Sequence, residues 1–195
     1  MRWLPLFLLA WFALAAGQPN GGIDLAGVRF DERARIGTTE GLLNGAGLRG
    51  ILGFKFYVIA VYLPQRLRST EEILRVSGAK RIQVVTMFDL NAELVAAGLA
   101  KGIRRNLSEA EFEALRPRVD LLRAAVRATR EAPAGSLIQF DWLPAASGGG
   151  VTRLSVNTQQ RGEDIPGEDF YQALLKVWLG DKVNDARLRE ALLGR

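Results

Sequence analysis

The chain has 195 residues, a formal net charge of +5, and neither cysteine nor histidine. Without cysteine there can be no disulfide or thiolate metal site, and without histidine the commonest general base, the commonest metal ligand and any serine–histidine triad are gone. Carboxylates, lysines, tyrosines and arginines are left to form a site, in a chain of a length expected to fold as one domain on its hydrophobic core alone.

The amino terminus places Arg2 ahead of the apolar run from Trp3 to Ala16, and Ala13, Ala15 and Gly17 give a small-x-small pattern before Gln18-Pro19. This reads as a signal peptide over residues 1–17, cleaved after Gly17. An uncleaved anchor is the other reading, but the run falls short of the roughly 20 apolar residues that span a hydrocarbon core. Cleavage leaves a mature chain of residues 18–195 with net charge +4 and no later run of that apolar length. The expected location is periplasmic or secreted, with no stable membrane span.

A strand is predicted over Ile23 to Phe30, followed by an apolar stretch from Leu42 to Leu48. Ile51 to Leu63 is the most strand-like segment, rich in aromatic and β-branched residues and stopped by Pro64. Both of its faces are largely apolar, which predicts burial on both sides, by helices on one and by a cavity or second layer on the other. Ser69 and Glu72 have capping-box spacing for a short helix to Val76, and Arg81 to Phe88 reads as a strand. Asn91 to Arg105 is helical, with the stripe Leu94, Val95, Gly98, Leu99 and Ile103. Ser108 and Glu111 cap a further helix to about Thr129, expected to bend or break near Pro117. On it, Arg116, Arg118, Arg123, Arg127 and Arg130 are interleaved with Glu109, Glu111, Glu113, Asp120 and Glu131, without alternating aromatics. That pattern is a solvated helix face rather than a nucleic-acid surface. Ser136 to Leu143 and Val151 to Asn157 form a hairpin around Ser147-Gly148-Gly149-Gly150, a short strand can precede Ile165, and helices over about Gly167 to Leu179 and Asp185 to Leu193 close the chain.

Gly45-Ala46-Gly47-Leu48-Arg49-Gly50 matches the dinucleotide-binding pattern G-x-G-x-x-G, but the context is wrong. That motif requires a helix directly after it, to seat phosphate on the helix amino terminus, and an acidic residue about twenty positions on. Here a strand follows, and Gln65-Arg66-Leu67-Arg68 stands where the acid belongs. The glycines are expected to permit a bulge or a close approach of backbone to backbone.

The same segment, Asn44 to Gly50 continuing through Lys55 to Leu63, resembles the signature of the chalcone isomerase superfamily. So does Ala173 to Gly180 with Asp185 to Leu193 behind it. The resemblance spans most of residues 23–194 and implies an α+β chalcone isomerase fold, an open-faced β-sandwich whose curved antiparallel sheet carries helices on one face and a ligand cleft between them. It places Arg49 on the arginine that holds substrate in the true isomerases. The rest of that machinery does not carry over: Tyr57 stands for a threonine, the region of Leu94-Val95 and Lys101-Gly102 for a tyrosine and an asparagine, and Val177 and Trp178 for a threonine and a methionine. Loss of donors from a buried cleft argues against chalcone cyclisation.

Arg49 with Tyr57 instead resembles the pair that grips a carboxylate in the plant fatty-acid-binding branch of the superfamily. The resemblance thus implies a non-catalytic binder of a small amphipathic acid, without cofactor or metal, using Arg49, Tyr57, Leu94, Val177 and Trp178. Arg49 can instead pair with a structural carboxylate, Tyr57 can be an aromatic core residue, and Trp178, Phe170 and Leu94, the candidate cleft walls, can be ordinary core. The alternatives are an isomerase or lyase acting on an enone or phenol through Arg49 and Tyr57, and a scaffold that binds a partner protein.

Overall fold

The computed structural model describes residues 21–195. The leader read at residues 1–17 lies outside them. The strand predicted over Ile23–Phe30 is in fact a hairpin of β1 (Gly22–Leu25) and β2 (Val28–Asp31), with Leu25 opposite Val28. Ala26 and Gly27 both take positive φ, 51° and 86°, and turn the chain in two residues. The sequence pattern hides this turn because one of its two left-handed positions carries alanine rather than Asn, Asp or Gly.

The short β3 (Arg33–Ile36) then leads into β4 (Thr39–Ile51), which absorbs the apolar stretch and the whole glycine motif. β5 (Phe54–Leu63) begins three residues later than predicted, because Leu52 (φ 50°) and Gly53 (φ 86°) form a second two-residue turn between Ile51 and Phe54. Register shifts lie between Leu43 and Gly45 and between Arg49 and Gly50, at the glycines expected to allow bulges.

α1 (Thr70–Arg75) carries the predicted capping box of Ser69 and Glu72. β6 (Lys80–Thr86) and the two-residue β7 (Leu90–Asn91) follow, then α2 (Ala92–Arg105), whose amino terminus is capped by the Asn91 side chain. α3 (Glu109–Arg127) starts at the Ser108–Glu111 capping box and continues through Pro117, where an interruption was expected. The proline removes one backbone bond, and burial of Phe112, Leu115, Val119, Leu122 and Val126 along the same helix outweighs that loss. β8 (Glu131–Ala132) pairs with β7. β9 (Leu137–Pro144) and β10 (Gly150–Val156) make the predicted hairpin, and β11 (Gln159–Gln160) and β12 (Ile165–Pro166) are short strands on β10. α4 (Glu168–Leu179) and α5 (Ala186–Leu192) end the chain.

The main sheet has the order β11-β10-β9-β6-β5-β4-β3, antiparallel throughout, with β12 beside β10. The alternation of β5 divides two cores. Ile59, Val61 and Leu63 join Ile82, Val84, Phe140 and Leu154 against the helices. Val58, Ala60 and Tyr62 face the other way, packing with Phe30 of β2, Ile36 of β3 and Leu43 of β4, and the Tyr62 hydroxyl donates to the Asp31 carbonyl at 3.1 Å. The outer side of β5 is thus closed by a second layer, and the cavity lies on the helix side. α5 sits directly on β4: a Cβ added at Gly45 would be 2.2 Å from the Ala191 carbonyl oxygen, so only glycine lets the two backbones meet. Asn44 ties the same contact, donating to the Leu192 carbonyl at 2.8 Å and accepting from the Leu67 N–H at 2.7 Å.

Candidate functional site

Between the sheet and the helices lies a cavity of about 550 Å³, within the range typical of small-molecule sites. Its floor takes residues from five adjacent strands, from Arg49 on β4 through Tyr57, Val84 and Phe140 to Leu154 on β10. Four interstrand spacings of about 4.8 Å make that floor roughly 19 Å long. α2 forms one wall with Leu94, Val95, Gly98, Leu99 and Gly102. Val177 and Trp178 of α4 form another, and Leu188 of α5 closes the side next to β4. α2 and α4 come this close because Gly102 has no side chain; a Cβ there would be 2.8 Å from Val177 Cγ1.

All five residues singled out from sequence line this cavity: Arg49, Tyr57, Leu94, Val177 and Trp178. Arg49 and Tyr57 are direct partners in the β4–β5 ladder, which puts guanidinium and phenol side by side. The Trp178 indole N–H donates to the Tyr57 oxygen at 3.0 Å. Burial pushes the Tyr57 phenol above its ordinary pKa, against the opposing pull of the Trp178 N–H and of Arg49. The hydroxyl is therefore a donor at neutral pH and not a base. Leu94 is 74% exposed and stands at the rim, so the α2 stripe read from sequence splits: Leu94 and Gly98 border the cavity while Ile103 is in the core. Phe170 is fully buried in the helix-side core and is not a wall.

Arg49 also has the carboxylate partner that the sequence reading had allowed for. Its Nη1 donates to Asp185 Oδ2 at 2.8 Å, with both side chains about one-fifth exposed. Asp185 caps α5 through its other oxygen, accepting from the Leu188 N–H at 3.0 Å. Burial works against its charge, but the Leu188 N–H and Arg49 together outweigh it and hold the carboxyl below the usual range. The adjacent Asn184 accepts from Arg105 at the end of α2, and Arg105 Nε is buried with no partner among the described residues. Arg49, Asp185, Asn184 and Arg105 form one connected polar edge to the cavity.

Asp185, Asn184 and Arg105 were missed from sequence as site residues. Asp185 was legible as the start of a helix, but nothing local couples it to an arginine 136 positions away. The cavity can hold an apolar body along its length and offer charged donors at one end.

A family model described as chalcone isomerase-like matches residues 22–194. No curated protein matches the chain. Among solved structures, the fatty-acid binding protein of Arabidopsis thaliana aligns with a TM-score of 0.68 over 89% of this chain and 96% of that one, at 15% identity. At that identity the likeness is one of fold: a curved antiparallel sheet with helices packed on one face.

Proposed function

The chain belongs to the chalcone isomerase-like family, and we propose that it is an exported, non-catalytic binder of a small amphipathic carboxylic acid, with a fatty acid as the best fit. One observation carries this reading: Arg49 and Tyr57 stand as ladder partners at the polar edge of an otherwise mainly apolar cavity of about 550 Å³. The fold by itself does not imply the function. A guanidinium and a protonated phenol donate together to one carboxylate, and the apolar floor takes the tail. Asp185 occupies only one of the five N–H donors of Arg49. On the α2 and α4 walls, Leu94, Val95, Gly98, Gly102 and Val177 offer no side-chain donor to an enone oxygen. The leader at residues 1–17 makes the periplasm or the exterior the place of action, which fractionation and sequencing of the mature amino terminus would check.

The decisive experiment is mass analysis of lipid extracted from the purified protein, together with displacement of a fluorescent fatty acid. Bound acid and displacement are expected; an empty protein that displaces nothing would sink the reading. Arg49-dependent turnover of an enone would instead favour the isomerase alternative.

Tyr57→Phe is expected to weaken acid binding about fivefold, the worth of one hydrogen bond near 1 kcal/mol. Because the phenol is pushed up rather than down, wild-type affinity should be flat from neutral pH to about pH 9, short of the ordinary tyrosine value. Titration across that interval checks both statements.

A further inference from the structure

We propose that the tip of the β4–β5 hairpin is a membrane-docking element that seats the rim of the cavity on an anionic lipid surface. Among the described residues, three two-residue turns carry positive φ at both central positions: Ala26-Gly27, Leu52-Gly53 and Asn157-Thr158. Such turns favour Asn, Asp or Gly, and a bulky residue in the left-handed region is locally unfavourable. Leu52 accepts that cost while being 94% exposed, so it gains nothing from burial within the protein. The turns at Ala26 and Asn157 carry a small and a polar residue at the same position.

Leu52 is not an isolated surface leucine, which would need no explanation. Ile51 and Phe54, 49% and 75% exposed, are cross-strand partners directly beneath it. Phe88, 43% exposed, touches the Phe56 ring at 5.6 Å between centroids. Ile51, Phe56, Phe88 and Leu94 also line the cavity, so the exposed apolar patch is continuous with the cavity rim.

The charge around the patch fits an anionic bilayer. Lys55 follows Phe54, and Lys101 lies on the same helical stripe of α2 as Leu94, Gly98 and Arg105. Among the described residues neither lysine has a carboxylate partner. Of the nearby carboxylates, Glu93 is paired with Arg127 and Asp185 with Arg49, while Asp89 accepts from the Ala134 N–H and keeps its charge, so the two lysines leave the surroundings net positive. A two-residue tip projects and offers no groove for a protein partner to fill, whereas a leucine and a phenylalanine flanked by lysine suit the boundary between headgroups and acyl chains. Docked this way, an apolar ligand would pass between bilayer and cavity without crossing water.

The test is co-flotation of the chain from Gln18 onward, which contains both cores, with vesicles of phosphatidylcholine and phosphatidylglycerol mixed about three to one. Wild type should float with these vesicles and much less with pure phosphatidylcholine. The double variant Leu52→Asn, Phe54→Thr should lose about tenfold or more in partitioning, since two exposed apolar side chains no longer enter the bilayer. Its melting temperature should be unchanged or higher, because asparagine suits the turn and neither residue is in a core. Fatty-acid displacement in vesicle-free solution reads the cavity separately, and neither residue lines it, so that value should not move. Equal flotation of variant and wild type would overturn the proposal, as would no flotation of wild type. A dimer on size exclusion that the variant abolishes, without vesicle binding, would give the patch to a second copy and overturn it as well.

Discussion

Arg49→Gln is expected to weaken binding of a long-chain carboxylate about 10- to 100-fold, because hydrogen bonds to a charged group contribute about 1.5–3 kcal/mol. Asp185→Asn should act in the opposite direction. Asparagine keeps an oxygen to accept the Leu188 N–H, so the α5 cap survives, but the negative charge now beside Arg49 at 2.8 Å is removed. The guanidinium then faces the ligand uncompensated, and affinity should rise about threefold, in line with the modest worth of a partly exposed ion pair. Displacement titrations of the two variants distinguish this from a purely structural arginine. In that case both substitutions would lower stability and neither would change affinity.

The stability of Asp185→Asn has its own sign. The Asp185 carboxyl lies below its ordinary value. Its ionised form therefore favours the native state above the unfolded-state value near 4, and that contribution is lost as the pH falls through the folded value. The variant should melt slightly below wild type at neutral pH and converge with it in strong acid.

Gly45→Ala is expected to destabilise the protein by about 3 kcal/mol, the upper end for overpacking. The added methyl would meet the Ala191 carbonyl oxygen at 2.2 Å and the Leu192 carbonyl oxygen at 2.7 Å, and neither can rotate away because both are backbone. α5 must lift from β4, loosening the Asn44 bond to Leu192. At roughly 2–4 °C per kcal/mol for a domain of this size, melting should fall by about 6–12 °C. Because α5 begins at the Asp185 cap and brings Leu188 to the cavity, acid binding should weaken as well. Gly98→Ala is the opposing control. A Cβ there meets nothing within 4 Å, and alanine is better than glycine inside a helix by about 1 kcal/mol, so melting should rise by about 2–4 °C. Thermal melts of the pair check both.

What could be read from the sequence and what could not follows the range of the interactions. The capping boxes at Ser69–Glu72 and Ser108–Glu111 close within four residues, and the chain contains both partners side by side. The two apolar faces of β5 likewise announce burial on both sides, and Arg49 and Tyr57 are eight residues apart on strands joined by a tight turn. Turns whose left-handed positions hold alanine or leucine escaped, because the usual marker residues are missing at Ala26 and Leu52. The sequence by itself therefore determined the helices and the long strands β5, β6, β9 and β10 from local pattern, and the family and the arginine–tyrosine pair from resemblance to a known family, while the split of β1 from β2 and the short strands β3, β7, β8 and β11 escape it. Only the tertiary structure decided that the face of β5 away from the helices is closed by a second layer, with Phe30, Ile36 and Leu43 over Val58, Ala60 and Tyr62. It also decided that Arg49 leans on Asp185 across 136 positions, with Arg105 joining the same polar edge through Asn184. Those contacts depend on α5 resting on β4 and on α2 approaching α4, two meetings that become visible only when Gly45 and Gly102 are seen against the backbone and side chain they accommodate.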